Sequence, residues 1–261
     1  MRHGALHAAV VSASATRSGV STAARLSKQW PVRHLPGRLA TLVVLGAIAC
    51  ASAAAPQPAS VEAQGDAVIF AGRIDAQSAA RFLELVRDPK ITRLVMTSRG
   101  GLVSAALDIG AAVHERRLDI EVPVACLSSC ANYIFPAARR KLIGRPGAVA
   151  WHGNMAHVLY QQQHGTASWS KPEIDDARVL AQREAAFFKR IGVDGFVCWF
   201  AKIEPYNVPD FYYLSPGDME RFGIRDVTVT DPSAEPPGND EQLVQVDWTR
   251  LEADRPAVPL Q

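Results

Sequence analysis

The sequence predicts an α/β domain with a mostly parallel sheet of βαβ units and flanking helices. Three observations predict it. Short runs rich in β-branched residues alternate with segments of helical spacing, the pattern of strands joined by crossover helices. Two of the strand-to-helix junctions are built from small residues, Ser98-Arg-Gly-Gly101 and Cys126-Leu-Ser-Ser-Cys130. Of the 261 residues, those numbered 65–229 read as packed structure, which is enough to bury one good core.

The elements follow in order. Ala67 to Phe70 reads as a strand, and Asp75 caps a helix carrying Phe82, Leu83 and Val86. Thr92 to Thr97 is a second strand. Leu102 to Glu115 is a helix, with Leu102, Ala105, Ala106, Ile109, Ala112 and Val113 at helical spacing. Ile120 to Ala125 is a third strand and Ser129 to Ala137 a buried helix. Lys141 to Ile143 and Val149 to Trp151 are short strands. Gly153 to Ser170 is polar and aperiodic and reads as a loop. Pro172 opens a long helix at its favoured first position, running to about Ile191. A shorter helix spans Val193 to Ile203. Ser215, Pro216 and Asp218 start another helix as cap, first-turn proline and first-turn acid. Asp226 to Val229 is a last strand.

The ends read differently. Residues 1–55 combine a basic leader, in which Arg2, Arg17, Arg25, Lys28, Arg33 and Arg38 meet no acid before Glu62, with the apolar run Leu39 to Ala49 and the small-residue exit Ala51-Ser-Ala53. Positive flank, short apolar core and small exit describe a secretory signal. The same run also reads as a retained anchor if Cys50 to Ala55 are counted with it, or as a lipoprotein signal with Cys50 modified. Its long basic flank also allows a true start further along. Each of the first three readings sends the domain out of the cytoplasm, into the periplasm or onto the inner membrane facing it. Membrane contact is then through the apolar segment, if uncleaved. Residues 56–64 read as a linker and 230–261 as a flexible tail rich in Pro and acids.

A formal net charge of +2 with interspersed signs gives no basic field for nucleic acid. The series His152, His157, His164 matches no common metal site. No metal and no cofactor is expected. With Cys50 outside the domain, Cys126, Cys130 and Cys198 remain. In an oxidising compartment Cys126 and Cys130 are a candidate disulfide leaving Cys198 free. Three buried free thiols is the other reading, and the spacing alone does not decide.

The two junctions carry the candidate chemistry. Gly100 and Gly101 allow positive φ and leave N–H groups open at a helix start, as an oxyanion requires. Ser128 stands at the second strand-to-helix turn, where a serine is either a helix cap or a nucleophile whose hydroxyl lies beside the next residue's N–H. In right-handed parallel units both junctions reach the same sheet edge, where ligands bind in open α/β folds. His152 closes the short strand Val149 to Trp151 and arrives there as a candidate general base.

On these residues the chain resembles the Clp protease/crotonase superfamily, and more closely its exported Clp-like bacterial members. The matching segments are Met96-Thr-Ser-Arg-Gly-Gly-Leu-Val-Ser-Ala-Ala106, Ala125-Cys-Leu-Ser-Ser-Cys-Ala131 and Val149-Ala-Trp-His152. The resemblance implies a Clp/crotonase-like fold. It also implies Ser128 as nucleophile, His152 as base, Gly101 and the Ser129 N–H as oxyanion donors, and Gly100 as the shaper of the turn. It implies a peptide or protein substrate and a homo-oligomer. Two departures stand out. Arg99 occupies the usual proline position, and Asp210, the candidate third member, is offset by about one residue from the family's acid.

The expected function is therefore a serine hydrolase, peptidase-like, of the bacterial envelope. A non-catalytic binding or scaffold protein on the same fold is the alternative. A lysine base would have to be Lys141, Lys171 or Lys189. An acyl-CoA enzyme is disfavoured because an exported protein rarely meets coenzyme A.

Overall fold

The computed structural model describes residues 58–144, 146–231 and 243–248. The leader and apolar run lie outside the described residues, and among the described ones no helix is long and apolar enough to cross a membrane. The fold is mixed α/β with a mainly parallel central sheet.

Strand β1 (Ser60–Gln64) and β2 (Ala67–Ala71) form a hairpin around Gly65 and Asp66. β2 then pairs in parallel with β3 (Arg93–Thr97), β3 with β4 (Asp119–Val122), β4 with β6 (Lys141–Ile143), and β6 with β9 (Val227–Val229). Period-two burial explains the core. Val68, Phe70, Leu94, Met96, Ile120 and Val122 are buried from β2, β3 and β4. Helix α1 (Ala76–Leu85) begins at Asp75, whose carboxylate accepts the Ser78 N–H at 2.8 Å while Ser78 Oγ accepts the Asp75 N–H. Helix α2 (Val103–Glu115) links β3 to β4.

Beyond β4 the chain departs from the expected single strand Ile120 to Ala125. Pro123, which has no N–H for a ladder, ends β4, and β5 (Ala125–Leu127) turns away to extend β3 at Ser98. Ser98 donates to the Ala125 carbonyl at 2.8 Å and accepts from Leu127 N–H at 2.9 Å. β5 pairs with β7 (Ala148–Ala150), and Trp151 bridges to Tyr212 of β8 (Phe211–Tyr213). These short strands form the wall that carries the junction residues.

Other differences have local causes. The segment 56–64, expected as linker, contains β1, with Val61 buried. Helix α3 (Met155–His164) occupies the expected loop Gly153 to Ser170. Its polar sequence hides the periodicity, yet Asn154 caps its start and Gly165 its left-handed end. The expected helix Ser129 to Ala137 is a π-helical turn, Cys130–Ile134. Val193 to Ile203 forms two 3₁₀ turns, Gly195–Cys198 and Phe200–Lys202. Pro172 is the second rather than the first residue of α4 (Lys171–Ile191). Helix α5 (Pro216–Arg221) starts at Ser215 as expected. The stretch 230–261, expected as a tail, supplies β10 (Leu243–Gln245), parallel to β8, with Val246 buried and Trp248 against Phe222.

Candidate active site

Ser128 sits between β5 and the π-helical turn with φ of +55°, a conformation that is uncommon outside glycine. Three attachments hold it there. Its N–H donates to the Ala150 carbonyl at 3.1 Å, its carbonyl accepts the Asn132 N–H at 2.8 Å, and a Cys126–Cys130 disulfide closes the loop around it with the two Cα atoms 5.2 Å apart. Cys198 is free and buried. The strained turn presents the hydroxyl outward, and Ser128 Oγ lies 2.7 Å from His152 Nε2.

The glycine turn closes on the same point. Gly100 has φ of +95°, and a Cβ there would stand 2.7 Å from the Ser128 Cβ and 3.0 Å from the Ser129 nitrogen. Ile74 N–H donates to the Gly100 carbonyl at 2.9 Å, and Leu102 N–H donates to the Ile74 carbonyl at 2.8 Å. In a parallel bridge of this kind the flanking peptides face the partner, so the N–H and C=O of Gly101 itself face away from Ile74. On that side the Gly101 carbonyl accepts Ser129 Oγ at 2.9 Å. Neither the Gly101 N–H nor the Ser129 N–H meets an acceptor among the described residues. The Gly100 N–H is committed to Ser98 Oγ at 3.1 Å, so Gly100 shapes the turn and does not offer a donor. Two open N–H groups beside a serine hydroxyl form a place where developing negative charge on an oxygen would be stabilised.

His152 follows β7, and its ring lies on Phe211, with centroids 4.4 Å apart. One side is open to solvent. Desolvation by its neighbours, with a smaller push from the Lys202 ammonium, holds its pKa below the ordinary value, while Asp210 pulls the other way. The imidazole is therefore neutral at pH 7 and able to take a proton. Asp210 is near enough to act through its charge, but among the described residues no carboxylate hydrogen-bonds to the His152 ring. What Asp210 offers instead is its carbonyl, which accepts Lys202 Nζ at 2.9 Å, next to that of Pro209 at 2.7 Å.

The lysines weighed as alternative bases stand elsewhere. Lys141 Nζ donates to the Ala138 and Arg225 carbonyls, Lys171 pairs with Asp175, and Lys189 is exposed in the last turn of α4. His157 stacks on Trp199, and His164 on Tyr160. Among the described residues no group of three His, Cys, Asp or Glu could hold a metal ion.

Sequence reasoning missed four contributors. Lys202 and Phe211 lie by His152, but neither residue carried a signal of its own, Lys202 falling in the expected helix Val193 to Ile203 and Phe211 next to Asp210. Asn132 donates its side-chain amide to the Gly153 carbonyl at 2.8 Å, one helical turn beyond Ser128. Glu184 is buried in α4, and its only signal was a charge falling in an otherwise apolar stripe.

No family model matches the chain, and no curated protein matches it in sequence. Among solved structures it is similar to a mutant of ClpP1 from Listeria monocytogenes, at 13% identity and a TM-score of 0.37, covering 64% of this chain and 92% of that one.

Proposed function

We propose that the chain is a serine hydrolase, peptidase-like, working in the bacterial envelope on a fold of the Clp/crotonase type. The observation that carries this reading is the 2.7 Å contact between Ser128 Oγ and His152 Nε2 at a turn whose neighbouring N–H groups are open. His152 takes the proton of Ser128 as the oxygen attacks a carbonyl carbon. The carbonyl oxygen gains negative charge beside the Gly101 and Ser129 N–H groups. His152 returns the proton to the leaving group, and the ester left on Ser128 is hydrolysed when His152 takes a proton from water. Cofactors have no part in these steps. Peptide or protein as substrate, and assembly into a homo-oligomer, rest on the sequence resemblance, and location in the envelope rests on the leader.

An active-site fluorophosphonate tests it. Wild type labels and Ser128→Ala does not; equal labelling of the two removes Ser128 from the role. A second reading, a non-catalytic binding protein on this fold, is favoured by one observation: among the described residues no carboxylate is hydrogen-bonded to His152. That reading gains if wild type is inert to the probe and to a broad peptide and ester panel while remaining folded.

A further inference from the structure

Helix α4 buries Ile174, Ala177, Phe187 and Phe188 along one stripe, and Glu184 lies in that stripe with 2% exposure. A carboxylate in an apolar position is costly unless it is fully hydrogen-bonded. Here three donors converge on it. The Tyr133 hydroxyl donates to Glu184 Oε1, as does the Met155 N–H at 3.1 Å, and the Ala156 N–H donates to Oε2 at 3.4 Å. Met155 and Ala156 are the first two residues of α3, whose early N–H groups have no partner within the helix. Asn154 supplies the rest of the cap, its side chain accepting the His157 N–H at 3.1 Å and its carbonyl the Val158 N–H at 3.2 Å.

The arrangement joins the segments that carry the two reacting side chains. Tyr133 lies in the π-helical turn that starts just after Ser128, and Met155 lies three residues beyond His152. Next to Tyr133, Asn132 fastens Gly153, the residue after His152, at 2.8 Å. The His152 segment is therefore tied to the Ser128 turn before the histidine, where the Ser128 N–H donates to the Ala150 carbonyl and Trp151 Nε1 to the Ala131 carbonyl, each at 3.1 Å, and after it, directly through Asn132 and through the buried Tyr133–Glu184 pair.

We propose that Glu184 is a positioning residue: from α4 it clamps the start of α3 to the Ser128 turn, and so sets where the His152 ring stands relative to Ser128 Oγ. This rests on the hydrolase reading of the site. Glu184 touches no reacting atom and acts through the backbone of Met155 and Ala156. The His152 ring meets Ser128 and Phe211, and the charges of Lys202 and Asp210 act on it; its own charge in turn acts on His157. A ring released from that setting loses its contact with Ser128 and the desolvation that holds its pKa down.

The test uses the full chain with Glu184→Ala, Glu184→Gln, which keeps one acceptor oxygen, and Tyr133→Phe. Two quantities are read: the rate constant for fluorophosphonate labelling of Ser128, and the titration of the His152 ring by NMR. Misplacing a base by about an ångström costs on the order of a hundredfold. Glu184→Ala is expected to slow labelling by roughly tenfold to a hundredfold and to move the His152 titration upward, with Glu184→Gln recovering most of both. Slow labelling with an unmoved His152 titration makes Glu184 a merely structural residue and overturns the proposal. If Glu184→Ala does not fold, Tyr133→Phe decides: slower labelling and a raised His152 titration are expected, and wild-type values of both overturn the proposal. Failure of the hydrolase reading is seen separately, as wild type that does not label. In that event the His152 titration and the hydrogen exchange of the Met155 and Ala156 amides still report the clamp, and wild-type values of both in Glu184→Ala, or in Tyr133→Phe where that variant does not fold, overturn it.

Discussion

Gly100 and Ser128 touch: a Cβ on Gly100 would stand 2.7 Å from the Ser128 Cβ and 2.9 Å from the Leu127 carbonyl. The glycine turn and the serine turn thus form one packed unit. Gly100→Ala must push Ser128 away and also hold alanine at a φ of +95°, a strain of about 1–3 kcal/mol. The expected result is a folded protein whose labelling falls on the order of a hundredfold. Gly101→Ala is worse, since its Cβ would lie 2.0 Å from the Ile74 oxygen, with backbone on both sides of the clash. It is expected to lower the melting temperature as well, which thermal unfolding of the two variants would compare.

The disulfide encloses Ser128 in a very short ring. In the chain-entropy account such a ring contributes about 2 kcal/mol, less than a long loop would. Reduction, or Cys126→Ser with Cys130→Ser, is expected to lower stability by about that amount in denaturant titrations. Because Ser128 has φ of +55°, the same change frees it to relax toward an ordinary conformation, so labelling slows. Reoxidation of the reduced wild type restores the rate, and the double serine variant does not respond to oxidant.

Lys202 and Asp210 act on His152 in opposite directions. On the proposed hydrolase reading the ring works as a base when neutral, so the labelling rate is expected to rise with pH through its pKa. Lys202→Met removes a positive neighbour and moves that rise to higher pH. Asp210→Asn removes a negative one and moves it to lower pH. Since the Asp210 carboxylate makes no hydrogen bond to the ring, Asp210→Asn is expected to cost less than about tenfold in the plateau rate. A loss of about ten-thousandfold, the scale seen when a triad acid is removed, would instead make Asp210 a full member of the site. Rate profiles of the three proteins decide.

Glu184 also ties stability to pH. Burial raises its pKa from 4.5 to about 7 against the opposing hydrogen bonds from Tyr133, Met155 and Ala156. A raised folded-state value means the native state holds the proton that the unfolded chain releases. Its contribution is therefore fully present below about pH 4.5 and is lost as pH rises through about 7. Relative to Glu184→Gln, wild type should lose about 3 kcal/mol of unfolding free energy between pH 4.5 and 8. Urea titrations of both proteins at several pH values would measure it, and parallel curves would contradict it.

What the sequence disclosed depended on whether the signal was local. Strands β2 and β3, helices α1, α2 and α4, and the two small-residue junctions are written in contiguous residues, so periodicity and caps found them. The Ser128 and His152 pairing was legible because parallel topology brings strand ends to one edge. Features made by distant partners were not. β1 and β10 are short, and each became a strand by pairing, β1 with β2 and β10 with β8. Helix α3 has a polar surface and little apolar periodicity, so its identity lay in Asn154 and Gly165, two caps without a stripe between them. The break at Pro123 was readable in principle, as a proline inside an expected strand. Lys202 and Glu184 reach the site by the packing of 3₁₀ turns and α4, for which no spacing rule exists.

Strand β10 carries a consequence for the site's outer wall. Leu243 stands in register with Phe211, the residue whose ring supports His152, and the Val246 N–H donates to the Tyr213 carbonyl at 3.1 Å. β8 has β10 along one flank and meets β7 through the Trp151–Tyr212 bridge. A chain stopped at Asp231 would leave the bonding groups on that flank unsatisfied and offer them to another molecule. Strand β10 is in effect a stopper on a sticky border, and trimming it for convenience would trade a covered edge for one that zips to its neighbours beside His152.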